Sequence, residues 1–155
     1  MKEVIFLDVD TVLAIHARMI QEYGGGTGLR DQGLLEAAAA MPSASFGGRF
    51  LHEGIAAMAA AYLFHLCKNH PFVDGNKRVA LASAIAFLLL NDHELMASKP
   101  DAEHLTLGVA NGSISEDEAI AFFRKHVRTA KAAKARRHVA PKRSKRRPPR
   151  RKKSP

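Results

Sequence analysis

Apolar positions recur at helical spacing through most of the chain. Val9, Val12, Leu13, Ile15, His16, Met19, Ile20 and Tyr23 fall on one helical period, with Asp8 placed as N-cap and Gly24-Gly25-Gly26 as the stop. The preceding Val4–Leu7 run reads as one short strand. Asp31 caps a second helix, Gln32 to about Ala40, ended by Pro42. The Ser- and Gly-containing stretch between Pro42 and His52 fits a loop or small hairpin. Glu53 to about Asn69 predicts a long Ala-rich helix with Ile55, Met58, Tyr62, Leu63 and Leu66 as its apolar stripe. Asn76 to about Asn91 predicts another, apolar on most faces and therefore central. A fifth helix starts at Asp101 after Pro100 and closes at Asn111-Gly112. A sixth opens on the capping box Ser115–Glu118 and runs through Phe122, Phe123 and Val127. The pattern predicts a mainly all-α fold: a compact bundle of about six helices around a central helix pair, with at most a short strand or hairpin flap.

Charge changes this picture at one end. The chain has 155 residues, 24 Lys/Arg and 15 Asp/Glu, but 13 of the basic residues and none of the acids lie after Arg128. The net charge of +9 therefore combines a domain at 1–128 of about −4 with a tail at 129–155 of +13. The basic pI belongs to the tail and does not make the whole chain a nucleic-acid-binding domain. Thr129–Arg137 can extend the last helix. Val139–Pro155, with four prolines and nine Lys/Arg, is expected to be disordered. A single cysteine, Cys67, excludes an intramolecular disulfide and reads as a small buried apolar residue. The four apolar residues before Asp8 are too few for a signal-peptide core, and the 12-residue run Val79–Leu90 is too short to cross a bilayer. A cytoplasmic protein without a membrane partner is expected.

Chemistry concentrates in one stretch between the two longest apolar helices: His70-Pro71-Phe72-Val73-Asp74-Gly75-Asn76-Lys77-Arg78. The helix starting at Asn76 presents unpaired N–H groups and the positive end of its dipole. Gly75 allows an anion close to the backbone. Lys77 and Arg78 add charge that does not favour the helix itself, so their placement suggests an external anion. Asp74 is a hard oxygen ligand suited to Mg²⁺. His70 can act as general base on a hydroxyl. Phe72 is expected to point into the core and pin the loop. These parts fit phosphoryl or nucleotidyl transfer from a nucleotide–Mg²⁺ complex to a hydroxyl.

The stretch resembles the His-Pro-Phe-x-[Asp/Glu]-Gly-Asn-x-Arg loop of the Fic/Doc superfamily, and Lys77 matches the death-on-curing (Doc) branch, where adenylylating members carry Gly. Similarity extends to Tyr23–Gly25, Gly28–Glu36, Phe64–Asn69, Phe87-Leu88 and Leu107–Gly112, covering about Val4 to Arg128. Val79 departs from the pattern, which has Thr there. The resemblance implies His70 as the catalytic base, Asp74 as the Mg²⁺ ligand, and Gly75, Asn76, Lys77 and Arg78 as phosphate-binding residues, with Pro71 and Phe72 supporting the loop. It implies a toxin of a toxin–antitoxin pair, neutralised by a small antitoxin, that moves the γ-phosphate of ATP to a Thr of elongation factor Tu and arrests translation. It also suggests that Arg49, in the Ser/Gly stretch, belongs to a substrate-docking flap. Two rival readings stand beside this one. The first is protein adenylylation. The second is an inactive Fic-fold binding module tethered by its basic tail.

The remaining features have blander readings. His16 and His65 are placed on helix faces near the core, and no histidine outside the loop shows metal-ligand spacing. Arg30 and Asp31 read as a turn or cap. The tail, without aromatic residues, suits nonspecific and salt-dependent contact with nucleic acid or ribosomes rather than base stacking.

Overall fold

The computed structural model describes residues 2–139. It is mostly helical, with seven helices and two small antiparallel sheets among the described residues. None of its helices is long and apolar enough to cross a membrane.

Local chemistry explains most boundaries. Helix α1, Val9–Tyr23, starts where Asp8 accepts the backbone N–H and hydroxyl of Thr11 at 2.8 and 2.6 Å, and it ends at Gly24 with φ of 79°. Helix α2, Gln32–Ala40, starts where Asp31 accepts the Leu34 N–H at 2.9 Å. A 3₁₀ turn at Met41–Ser43 leads into a hairpin of β1, Ser45–Phe46, and β2, Arg49–Phe50. Gly47 and Gly48 both take positive φ, as a two-residue hairpin turn requires.

Helices α3, Ile55–Asn69, and α4, Asn76–Leu90, form the expected central pair. Alanines at 57, 59, 60 and 61 are buried and let neighbouring helices approach closely. Tyr62, Leu63, Leu66, Val79, Phe87 and Leu88 fill the centre with no exposed surface. After α4, β3 at His93–Leu95 precedes α5, Lys99–Asn111, and α6, Glu116–His126. Strand β4, Val127–Thr129, returns to pair with β3, and α7 follows at Ala130–Val139.

Three expectations change. Val4–Leu7 is not a strand, because side chains take the place of a partner strand. Asn91 accepts the Ile5 N–H at 2.8 Å and donates to the Ile5 carbonyl at 2.9 Å. The buried Tyr62 hydroxyl accepts the Leu7 N–H at 2.8 Å. Helix α5 begins before Pro100, with Ser98 as N-cap; a proline in the first turn lacks an N–H that the helix would leave unpaired anyway. The last helix is not simply extended. Val127 and Thr129 are β-branched and pair as β4, the Met96 N–H bonds the His126 carbonyl at 2.7 Å, and the chain re-enters a helix only at Ala130. Ala133 of α7 is buried, and Arg137 pairs with Glu94 at 2.6 Å. The expected disorder of Val139–Pro155 concerns residues that lie, apart from the backbone of Val139, outside those described.

Candidate active site

The loop from His70 to Gly75 joins α3 to α4 and is held from several sides. His70 ends α3 in the left-handed region, φ 47° and ψ 55°, a conformation rare for a residue with a Cβ. Arg30 fixes this turn: its Nε donates to the His70 carbonyl at 2.7 Å and its Nη2 to the Asn69 carbonyl at 2.9 Å, satisfying the end of α3. The Arg30 and Asp31 N–H groups both donate to the Pro71 carbonyl, and the Val73 N–H donates to Gly28. Residues 28–31 thus run alongside the loop, with a bridge between Leu29 and Phe72.

Phe72 is buried as expected. Its backbone is clipped by Asn76, whose Oδ1 accepts the Phe72 N–H and whose Nδ2 donates to the Phe72 carbonyl, both at 2.9 Å. The Asn76 side chain is therefore spent on the loop itself. What Asn76 offers an anion is its backbone N–H. That group and the N–H groups of Lys77 and Arg78 find no acceptor among the described residues. Gly75, N-terminal to them, has φ of 79°, and a Cβ there would lie 3.3 Å from Ile20.

Asp74 is exposed yet fixed. One carboxylate oxygen accepts the Gly26 N–H at 3.0 Å and the other the Gly75 N–H at 2.8 Å, and these bonds hold its carboxyl below the ordinary range. Gly25 makes the approach possible, since a Cβ there would sit 2.6 Å from the carboxylate. His70, Asp74, Lys77 and Arg78 all lie exposed on one short segment. The Arg78 guanidinium lies 4.8 Å from the Tyr23 ring centroid, which limits its range of positions. Arg49 lies on β2 of the hairpin, and no hydrogen bond or ion pair joins it to the loop.

Two supports went unread in the sequence. His16 stacks on Phe72 with ring centroids 3.8 Å apart, and its Nε2 donates to the Asp74 carbonyl at 2.8 Å. Its signal was a polar residue on the apolar stripe of α1. Arg30, expected in a turn or cap, caps α3 rather than its own segment.

The sequence profile described as "Fic/DOC family" matches residues 6–88, just over half of the chain. The chain belongs to the Fic/DOC family. A protein named Toxin Doc from Mycolicibacterium smegmatis is 45% identical over 75 residues, 48% of this chain and 58% of that one, so the match spans little more than half of that relative. A protein named Protein kinase doc from Escherichia phage P1 is 37% identical over 109 residues, 68% of this chain and 82% of its own length. The Fic/DOC match takes in α1, the hairpin, α3 and nearly all of α4. It includes every residue just described as building or bracing the loop.

Proposed function

We propose that the chain is a Doc-type toxin that transfers the γ-phosphate of ATP to a Ser or Thr hydroxyl of a protein, with elongation factor Tu as the target and translation arrest as the result. The observation that carries this reading is the single exposed segment bearing His70, Asp74, Lys77 and Arg78 beside open first-turn N–H groups. The relative named a protein kinase supports phosphoryl over adenylyl transfer.

In this reading the phosphates lie on the N–H groups of Asn76, Lys77 and Arg78, with the Lys77 and Arg78 side chains neutralising their oxygens. Asp74 suits Mg²⁺, because its carboxylate stays ionised, is held in place by two backbone N–H groups and keeps lone pairs facing outward. Mg²⁺ held by Asp74 would supply positive charge that offsets the charge on the phosphate oxygens. His70 takes the proton of the attacking hydroxyl, and Arg30 and the left-handed turn fix where its ring starts. The β1–β2 hairpin with Arg49 serves as the docking flap for the target. A small antitoxin is the expected partner.

Reaction with elongation factor Tu and ATP labelled at either the α or the γ position tests the proposal. The γ label should appear on the protein, and His70→Ala should lower transfer by about 10²–10⁴-fold. Appearance of the α label would establish adenylylation instead. Toxicity that survives His70→Ala, with no label transferred, would favour a binding module.

A further inference from the structure

Away from the loop, three residues distant in sequence converge. His52 follows β2 at the root of the hairpin, His65 is on α3, and Glu116 is the first residue of α6. Their side-chain ligand atoms all lie within 4.8 Å of one another. His52 Nε2 is 2.6 Å from one Glu116 oxygen, and His65 Nε2 is 3.4 Å from the other. His52 is 7% exposed. His65 Nε2 is buried and, despite its nearness to Glu116, is misaligned for a hydrogen bond. His52 Nδ1 is likewise buried without a partner among the described residues.

Buried imidazole nitrogens without partners are costly unless something else satisfies them. A hydrogen bond from His52 to Glu116 accounts for one of the three contacts and leaves His65 unexplained. A cation between the three groups gives His65 Nε2 a partner and takes one nitrogen of His52 and the carboxylate with it. We propose that His52, His65 and Glu116 form a divalent transition-metal site, best suited to Zn²⁺, that ties the root of the β1–β2 hairpin to α3 and α6.

The donor set decides the metal class. Two imidazoles and one carboxylate suit Zn²⁺ with water as fourth ligand, whereas Mg²⁺ and Ca²⁺ prefer all-oxygen sites. Zn²⁺ bonds of about 2.0–2.2 Å place tetrahedral ligands about 3.3 Å apart. The widest separation here exceeds that by at most about 1.5 Å, within reach of rotamer adjustment. A cleft of about 660 Å³, lined in part by His52, Glu53, Asp117 and Arg124, opens beside His52 and gives an ion a route in. Glu116 lies outside the residues matched by the family profile, so the set is completed by a part of the chain that the match does not cover.

The site's place in the fold gives it a consequence. His65 lies on α3 five residues before His70, the residue that ends this helix, about 7.5 Å along its axis. His52 is two residues beyond the flap strand that carries Arg49. Binding Zn²⁺ would fix the flap root against the helix that presents the catalytic histidine.

The full chain, stripped with a chelator, is titrated with Zn²⁺ against a competing chromogenic chelator. One equivalent should bind, and it should still bind in His70→Ala and His138→Gln. Affinity should fall by at least about tenfold in His65→Gln and in Glu116→Gln. Circular dichroism reports whether each variant is folded, and Glu116→Gln, a near-isosteric change at a half-buried helix start, carries the test if His65→Gln does not fold. Backbone hydrogen exchange across residues 45–54 should slow with Zn²⁺ in the wild type but not in Glu116→Gln. Absence of stoichiometric binding would leave only a His52–Glu116 hydrogen bond and overturn the proposal. Binding that persists unchanged in both Gln variants would place the ion elsewhere and overturn it equally.

Discussion

Asp74 accepts a backbone N–H on each of its carboxylate oxygens, from Gly26 and Gly75, and both bonds favour its charged form. Its carboxyl is thereby held below the ordinary range. The sign of the resulting pH effect follows directly. A carboxyl lowered in the folded state contributes stability that is present above its unfolded value and lost as pH falls through the lowered one. Asp74→Asn should therefore be less stable than wild type near neutrality. The difference should shrink as pH drops below the ordinary carboxylate range. Denaturant midpoints of both proteins over a pH series check this, and a difference that persists unchanged to low pH would refute it. The same residue shows what was legible beforehand: its type and spacing pointed to a cation ligand. The glycine turn at 24–26 that pins it from 48 residues away reads in the sequence as a helix stop and a stretch of family similarity, with nothing local to tie it to Asp74. Asn76 repeats the lesson, because its side chain serves the Phe72 backbone rather than a ligand.

At the scale of elements, periodicity and caps located the helices well, because Asp8, Asp31, Ser115 and Gly112 act on neighbours within a few residues. What escaped was pairing across long separations. The N-terminal segment looked like a strand from its own residues, yet its partners are Tyr62 and Asn91, and β4 is defined by β3, more than 30 residues earlier. The cluster of His52, His65 and Glu116 escaped for the same reason, since its spacing in sequence matches no metal motif. Tyr62 offers a test of the N-terminal docking. Tyr62→Phe leaves the buried Leu7 N–H without its acceptor and should cost about 1–3 kcal/mol, read from denaturant unfolding. Burial also pushes the Tyr62 phenol up to about 12. A group raised in the folded state keeps its proton there while the unfolded chain loses it. Wild-type stability should thus fall as pH climbs from about 10 towards that value, and Tyr62→Phe should fall less steeply over the same range.

The whole molecule joins an acidic helical domain to a strongly basic C-terminal stretch, and the junction is a question of packing as well as charge. Charge alone placed the boundary after Arg128. Strand β4 spans that position, Ala133 of α7 is buried, and Arg137 reaches back to Glu94. Two truncations separate packing from charge. Ending the chain after Arg128 removes α7 with its buried Ala133 and should lower the melting temperature relative to ending it after Val139. Equal melting temperatures would show that α7 adds nothing to the domain. Both truncations remove the nine Lys/Arg of residues 140–155, and the shorter one also removes the four between Lys131 and Arg137. If the basic stretch contacts nucleic acid electrostatically, the full chain should bind duplex DNA with an affinity that falls steeply as salt rises. The salt slope should shrink towards zero in the order full chain, Val139 truncation, Arg128 truncation. Binding measured at three salt concentrations distinguishes this order from a shared, flat response. A flat response would confine the role of the basic residues to solubility.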